Sequence, residues 1–168
     1  MYTNYSGESI FALFENRFLN QIYTLYPHII PIQIECYTSA QYGCMSTAEP
    51  IEGIENDGFA YSIRRGDNHN SPITAYIIYS PEIIDKIGLN ELEKLACIAH
   101  EVGHIIHYFN ENLRGANNLI VEIKADCITE QIGLSSHLKS ALNKLLLCGL
   151  YSDFQREMMR IRQNLLGE

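Results

Sequence analysis

A chain of 168 residues, 46% hydrophobic and 19% charged, can bury a core of its own but is too short for two full domains, so one domain over residues 1–168 is expected. Twelve Lys and Arg stand against 20 Asp and Glu, a formal charge of −8 and a pI of about 5.2. With no basic cluster beyond Arg64-Arg65, a nucleic-acid partner or an anionic lipid surface is not expected. No apolar run reaches the roughly 18 residues of a membrane span, and Met1-Tyr2-Thr3-Asn4-Tyr5 lacks the basic segment of a secretory signal. Five widely spaced cysteines, Cys36, Cys44, Cys97, Cys127 and Cys148, form no CxxC pair, which points to reduced, mostly buried thiols and a cytoplasmic protein.

Across residues 9–26, Ile10, Phe11, Leu13, Phe14, Phe18, Leu19, Ile22 and Leu25 recur at steps of three and four, the signature of an amphipathic helix ended by Pro27 and Pro31. Residues 32–37 alternate apolar and polar as a half-buried strand does. Residues 39–57, with Gly43, Pro50 and Gly53, read as a loop. Residues 59–65 and 73–79 are short β-branched or aromatic runs around a turn-rich segment, 66–72, which predicts an antiparallel hairpin; Arg65-Gly66-Asp67 is then simply part of its turn.

After Leu89 the period lengthens to about 3.6 residues. Asn90 followed by Glu93 is a capping-box start, and Leu92, Leu95, Ala96, Ala99, Val102, Gly103 and Ile106 form an apolar stripe leading to Phe109. A second helix over 119–131 follows Asn117 or Asn118 as its cap and stops at Gly133; a third runs from Ser136 to about Leu147, and a fourth from Ser152 or Asp153 through Leu166. A helix, about three strands and a helical C-terminal half make an α+β domain.

Inside the longest helix lies His100-Glu101-Val102-Gly103-His104, an HExxH sequence. Residues i and i+4 sit about 40° apart on a helix, one turn along, so both imidazoles can face one ion with Glu101 beside them. Zinc suits two neutral imidazoles, a third protein ligand and an open position for water; Glu101 would take the proton as that water attacks a polarised carbonyl. His107, seven residues from His100 and so about 10 Å along the axis, is too far to join them and reads as a partly exposed polar residue. A metzincin would need Gly and His where His107 and Asn110 stand, so that class is excluded. Glu122-Ile123-Lys124-Ala125-Asp126 places carboxylates at i and i+4 on the next helix, 18 residues after His104. Glu122 is expected as the third ligand, and Asp126 as the carboxylate orienting a ligand histidine.

This HExGH and ExxAD pair resembles the gluzincin metallopeptidases, and within them the family of prenyl-protein and heat-shock membrane proteases, whose soluble relatives keep only the catalytic domain. The likeness covers roughly residues 56–166. Asn56-Asp57-Gly58-Phe59-Ala60 is similar to the family's edge strand, and Arg160-Ile161 to its downstream segment, whereas the His-Pro expected before that segment is replaced around Ser152-Asp153. Small phage and mobile-element proteases that cleave a repressor share the HExGH motif and a downstream acidic ligand. The resemblance implies a minimal zincin fold, with a small, mostly antiparallel sheet on the HExxH helix and one Zn2+ per chain. It implies an endopeptidase acting on a protein or peptide substrate by Glu-assisted attack of a zinc-bound water, with the substrate laid along Gly58, Phe59, Ala60 and Tyr61. His137, Tyr151 and Arg160 are the candidate donors to a developing oxyanion. The alternatives are a regulatory metalloprotease of mobile-element type acting on a repressor, and a zinc-stabilised interaction module in which Glu101 does no chemistry.

Overall fold

The computed structural model describes residues 10–45, 54–64, 72–113, 115–148 and 151–167. The expected loop residues 46–53, Arg65, residues 66–71 of the expected hairpin turn and the N-terminal residues 1–9 lie outside them.

The first helical segment comprises α1 (Ile10–Phe14) and α2 (Asn20–Leu25), joined without a break by a π-helical turn, Glu15–Leu19. Its stripe of Phe11, Phe14, Phe18 and Ile22 is buried, which is what the sequence period demanded. Strand β1 (Gln33–Thr38) follows, and the supposed loop after it opens on a short helix, α3 (Ser39–Gly43). Thr38 and Gln41 form a complete capping box there, a signal within the sequence that the reading of 39–57 as a loop passed over. A second single turn, α4 (Ile54–Asp57), leads into β2 (Phe59–Arg64). Gly58 joins the two at φ +77°, a conformation that a Cβ would disfavour.

Strand β3 (Thr74–Tyr79) lies at the centre of the sheet, in the order β1-β3-β2. It pairs antiparallel with β2, Phe59 facing Tyr79 and Arg64 facing Thr74, as the hairpin pattern predicted. It pairs parallel with β1, so the sheet is mixed rather than mostly antiparallel. Periodicity speaks to each strand alone and carries no information about the direction of a partner some 40 residues away. Strand β3 is buried from Ala75 to Tyr79, and β2 is left as an edge among the described residues.

Helix α5 (Pro81–Ile87) had no counterpart in the sequence reading, although its signals are all local: Ser80 caps it, Pro81 occupies the first turn, and Gly88 closes it at φ +82°. Helix α6 (Glu91–His107) starts on the Asn90/Glu93 capping box and is buried without interruption from Leu95 to Ile106. Glu93 is 2% exposed, and its carboxylate also accepts hydrogen bonds from Ser140 and Lys144 at 2.7 Å each. These tie the start of α6 to α8 (Ser135–Leu147). Between them runs α7 (Asn118–Gln131), capped by Asn117 through the Ile120 N–H, and α9 (Asp153–Leu165) closes the fold on a Ser152/Gln155 capping box. The domain is α+β with a helical C-terminal half. Among the described residues no helix is long and apolar enough to cross a membrane.

Candidate metal centre

The site grows from the contact between α6 and α7. A Cβ on Gly103 would lie 2.5 Å from the Ala125 carbonyl oxygen and 2.8 Å from its Cα, so only glycine lets the two backbones approach this closely. That approach brings Glu122, one turn before Ala125, onto the face of α6 carrying both histidines. His100 Nε2 and His104 Nε2 are 3.0 Å apart, and Glu122 places Oε2 3.0 Å from the first and Oε1 3.3 Å from the second. The ligating atoms of His100, His104 and Glu122 all fall within 4.8 Å of one another. Two imidazole nitrogens and a carboxylate oxygen converge on one point, with two of the three residues buried, an arrangement that could hold a metal ion.

The supporting contacts fix each ring. Nδ1 of His100 donates to Asp126 Oδ1 at 2.7 Å, which leaves Nε2 facing the centre. Tyr61 of β2 stacks on the His104 imidazole, 4.8 Å between centroids and 14° between planes. Arg162 of α9, 8% exposed, grips Asp126 with two hydrogen bonds of 2.8 Å and reaches Glu122 Oε2 at 3.3 Å. Burial disfavours the His100 imidazolium, but the Glu122 carboxylate and the Asp126 hydrogen bond outweigh that and raise it to about 10. Burial likewise works against ionised Glu122 and Asp126. For Glu122 the two histidines and Arg162, and for Asp126 Arg162 and His100, hold the carboxyl below the ordinary range. Glu101 goes the other way: burial raises it, and the attraction of His100 and His104 only partly offsets this.

A cavity of about 300 Å³ opens beside the cluster, and Glu101, His100, His104 and Glu122 line it together with residues 59–62 of the edge strand. Gly58 itself sits in the turn before the strand. The Ser80 N–H donates to the Gly58 carbonyl, which marks 58/80 as a hydrogen-bonded pair; by the alternation of an antiparallel ladder, Ala60 and Ser62 then face β3. The amides of Phe59, Tyr61 and Ile63 therefore turn to the open edge, not those of Ala60 or Ser62.

Of the three proposed oxyanion donors, the structure brings only Tyr151 near. Its hydroxyl donates to Asp57 Oδ1, and Asp57 lines the cavity. His137 is not among the lining residues, and Arg160 is exposed beside Glu157 at 3.5 Å. Arg162 stands where Arg160 was expected, because α9 buries Met159 and Arg162, three residues apart, and turns Arg160 to solvent. Arg162 went unnoticed in the sequence, and Asp57 entered only within the edge-strand likeness, with no role of its own; no local pattern distinguishes them from other surface charges. His107 is partly exposed, edge-on to Tyr26, and plays no part in the cluster. No family model, no curated protein and no solved structure matches this chain.

Proposed function

We propose that the chain is a single-metal peptidase that hydrolyses peptide bonds in a protein or peptide substrate, with zinc held by His100, His104 and Glu122. One observation carries the reading. The two-nitrogen, one-oxygen cluster has the Glu101 carboxylate as its neighbour, on the wall of a cavity bordered by an edge strand. When bound, zinc supplies Lewis acidity toward a carbonyl oxygen and toward water.

The chain's own residues do the rest. Glu101 accepts the proton of the attacking water and returns it to the leaving amine. Asp126, itself clamped by Arg162, holds His100 in the tautomer that presents Nε2. Tyr61 keeps the His104 ring in plane. The outward amides of β2 offer main-chain hydrogen bonds to an extended substrate of varied sequence. The resemblance of His100–His104 and Glu122–Asp126 to the gluzincin motifs points the same way. The free thiols of all five cysteines fit action in a reducing compartment such as the cytoplasm.

The test is metal analysis of the purified chain, joined to digestion of a proteome-derived peptide library by the parent and by Glu101→Gln. One zinc per chain in both, with cleavage by the parent alone, is the expected result. Stoichiometric zinc with no cleavage by either leaves a zinc-stabilised interaction module. Zinc retained by both His100→Ala and His104→Ala variants removes the metal assignment.

A further inference from the structure

The cavity beside the metal centre is divided in its chemistry. Part of its lining is polar, with His100, Glu101, His104 and Glu122, and part is apolar, with Phe59, Cys97, Leu138, Leu142, Leu145 and Met159, each less than 9% exposed. Leu138, Leu142 and Leu145 are spaced i, i+4 and i+7 on α8, so one face of that helix is turned toward the cavity. Met159 comes from α9, one turn before Arg162.

Arg162 and Asp57 in the wall are already engaged. Arg162 spends its donors on Asp126 and Glu122, and Asp57 accepts the Tyr151 hydroxyl. A carboxylate entering here would meet Asp57, Glu101 and Glu122, with the Arg162 guanidinium committed elsewhere. A Lys or Arg entering would be desolvated over leucines, a cost that pairing with Asp57 or Glu101 must first offset. A bulky apolar side chain instead covers the leucine face and leaves every polar pair intact. About 300 Å³ stands at the low end of small-molecule sites, with room for one such side chain beside the reacting amide.

We infer that this apolar lining is a specificity pocket: α8 and α9 select a substrate with one large apolar residue adjoining the scissile bond and reject an acidic one. The inference deepens the peptidase reading and rests on it. Leu142 and Met159 set its depth.

Binding separates the two. Chelating hydroxamates that differ in one side chain, Gly, Leu, Phe, Lys or Asp, placed on either side of the chelating group, are titrated calorimetrically into the zinc-loaded parent, alongside the peptide-library digest. In one of the two placements, Leu and Phe should bind at least about tenfold tighter than Gly, with Asp weakest. The same preference should appear at one position flanking the cleaved bonds. Leu142→Ala should move the optimum from Leu toward Phe, and the parent series decides the matter even if that variant fails to fold. A flat series, or Lys as the tightest, overturns the pocket while leaving the peptidase reading intact. Zinc-loaded protein that binds none of the hydroxamates and cuts no peptide overturns both.

Discussion

Replacing Gly103 with alanine strikes the contact on which the centre depends. The new methyl would sit 2.5 Å from the Ala125 carbonyl oxygen, 2.8 Å from its Cα and 3.0 Å from its carbonyl carbon. All three are backbone atoms, so no rotamer change relieves the overlap. Ordinary contact begins at 3.4 Å, so α6 and α7 must part by roughly 1 Å against a close-packed interior. Overpacking of this kind costs about 1–3 kcal/mol, and the better helix propensity of alanine returns at most about 1 kcal/mol. A net loss of up to about 3 kcal/mol in urea denaturation of the metal-free protein is expected. Glu122 travels with α7, so its 3.0 and 3.3 Å approaches to His100 and His104 lengthen together. Zinc affinity, read by competition with a chelator, should fall about 10- to 100-fold, as when an orienting group is lost. Gly43→Ala, where nothing lies within 4 Å and φ is not positive, is the control and should change stability by less than about 0.5 kcal/mol. A Gly103→Ala protein as stable as the parent and equal to it in zinc affinity would refute the account of how the centre is assembled.

Asp126→Ala should weaken zinc binding about 10- to 100-fold and, by leaving the buried Arg162 guanidinium without its main partner, cost about 3–5 kcal/mol of stability, while Glu122→Ala should weaken zinc binding further; zinc binding as tight as the parent's in both variants would remove the two carboxylates from the centre. Glu93 is held below the ordinary carboxylate range because the Lys144 and Ser140 hydrogen bonds outweigh its burial. Its contribution is therefore fully present above its usual pKa of 4.5 and is lost as pH falls through the lowered value. Glu93→Gln should cost about 1.5–3 kcal/mol at pH 7 and flatten the acid limb of the stability curve; parallel curves for parent and variant would show that the pair contributes nothing. Ile63→Pro, which leaves the ladder to β3 intact and removes an outward amide, should lower cleavage of long peptides with zinc content unchanged, whereas Ser62→Pro should destabilise the sheet. The reverse pattern, with Ile63→Pro destabilising the sheet and Ser62→Pro sparing it, would show that the edge has the opposite phase.

Helix α6 was legible from one end to the other because its evidence is local. The Asn90/Glu93 box, the apolar stripe and the HExxH spacing all operate within one or two turns, and helical geometry alone carries His100 and His104 to the same face. The same holds for α7 and α9, whose caps Asn117 and Ser152 were in view, and for Glu122 and Asp126 sharing a face. The parallel pairing of β1 with β3, the Tyr61 ring over His104 and the Asp57 link to Tyr151 join residues tens of positions apart. No local period encodes such contacts; they follow from which faces the packed layers leave available. Arg162 shows the division most clearly. Met158, Met159, Ile161, Leu165 and Leu166 allow more than one helical phase, and the sequence reading took Arg160 and passed over Arg162. Only the docking of α9 beside α7 and α8 turned Met159 and Arg162 inward, because a guanidinium can be buried only where Asp126 and Glu122 already wait to pair with it.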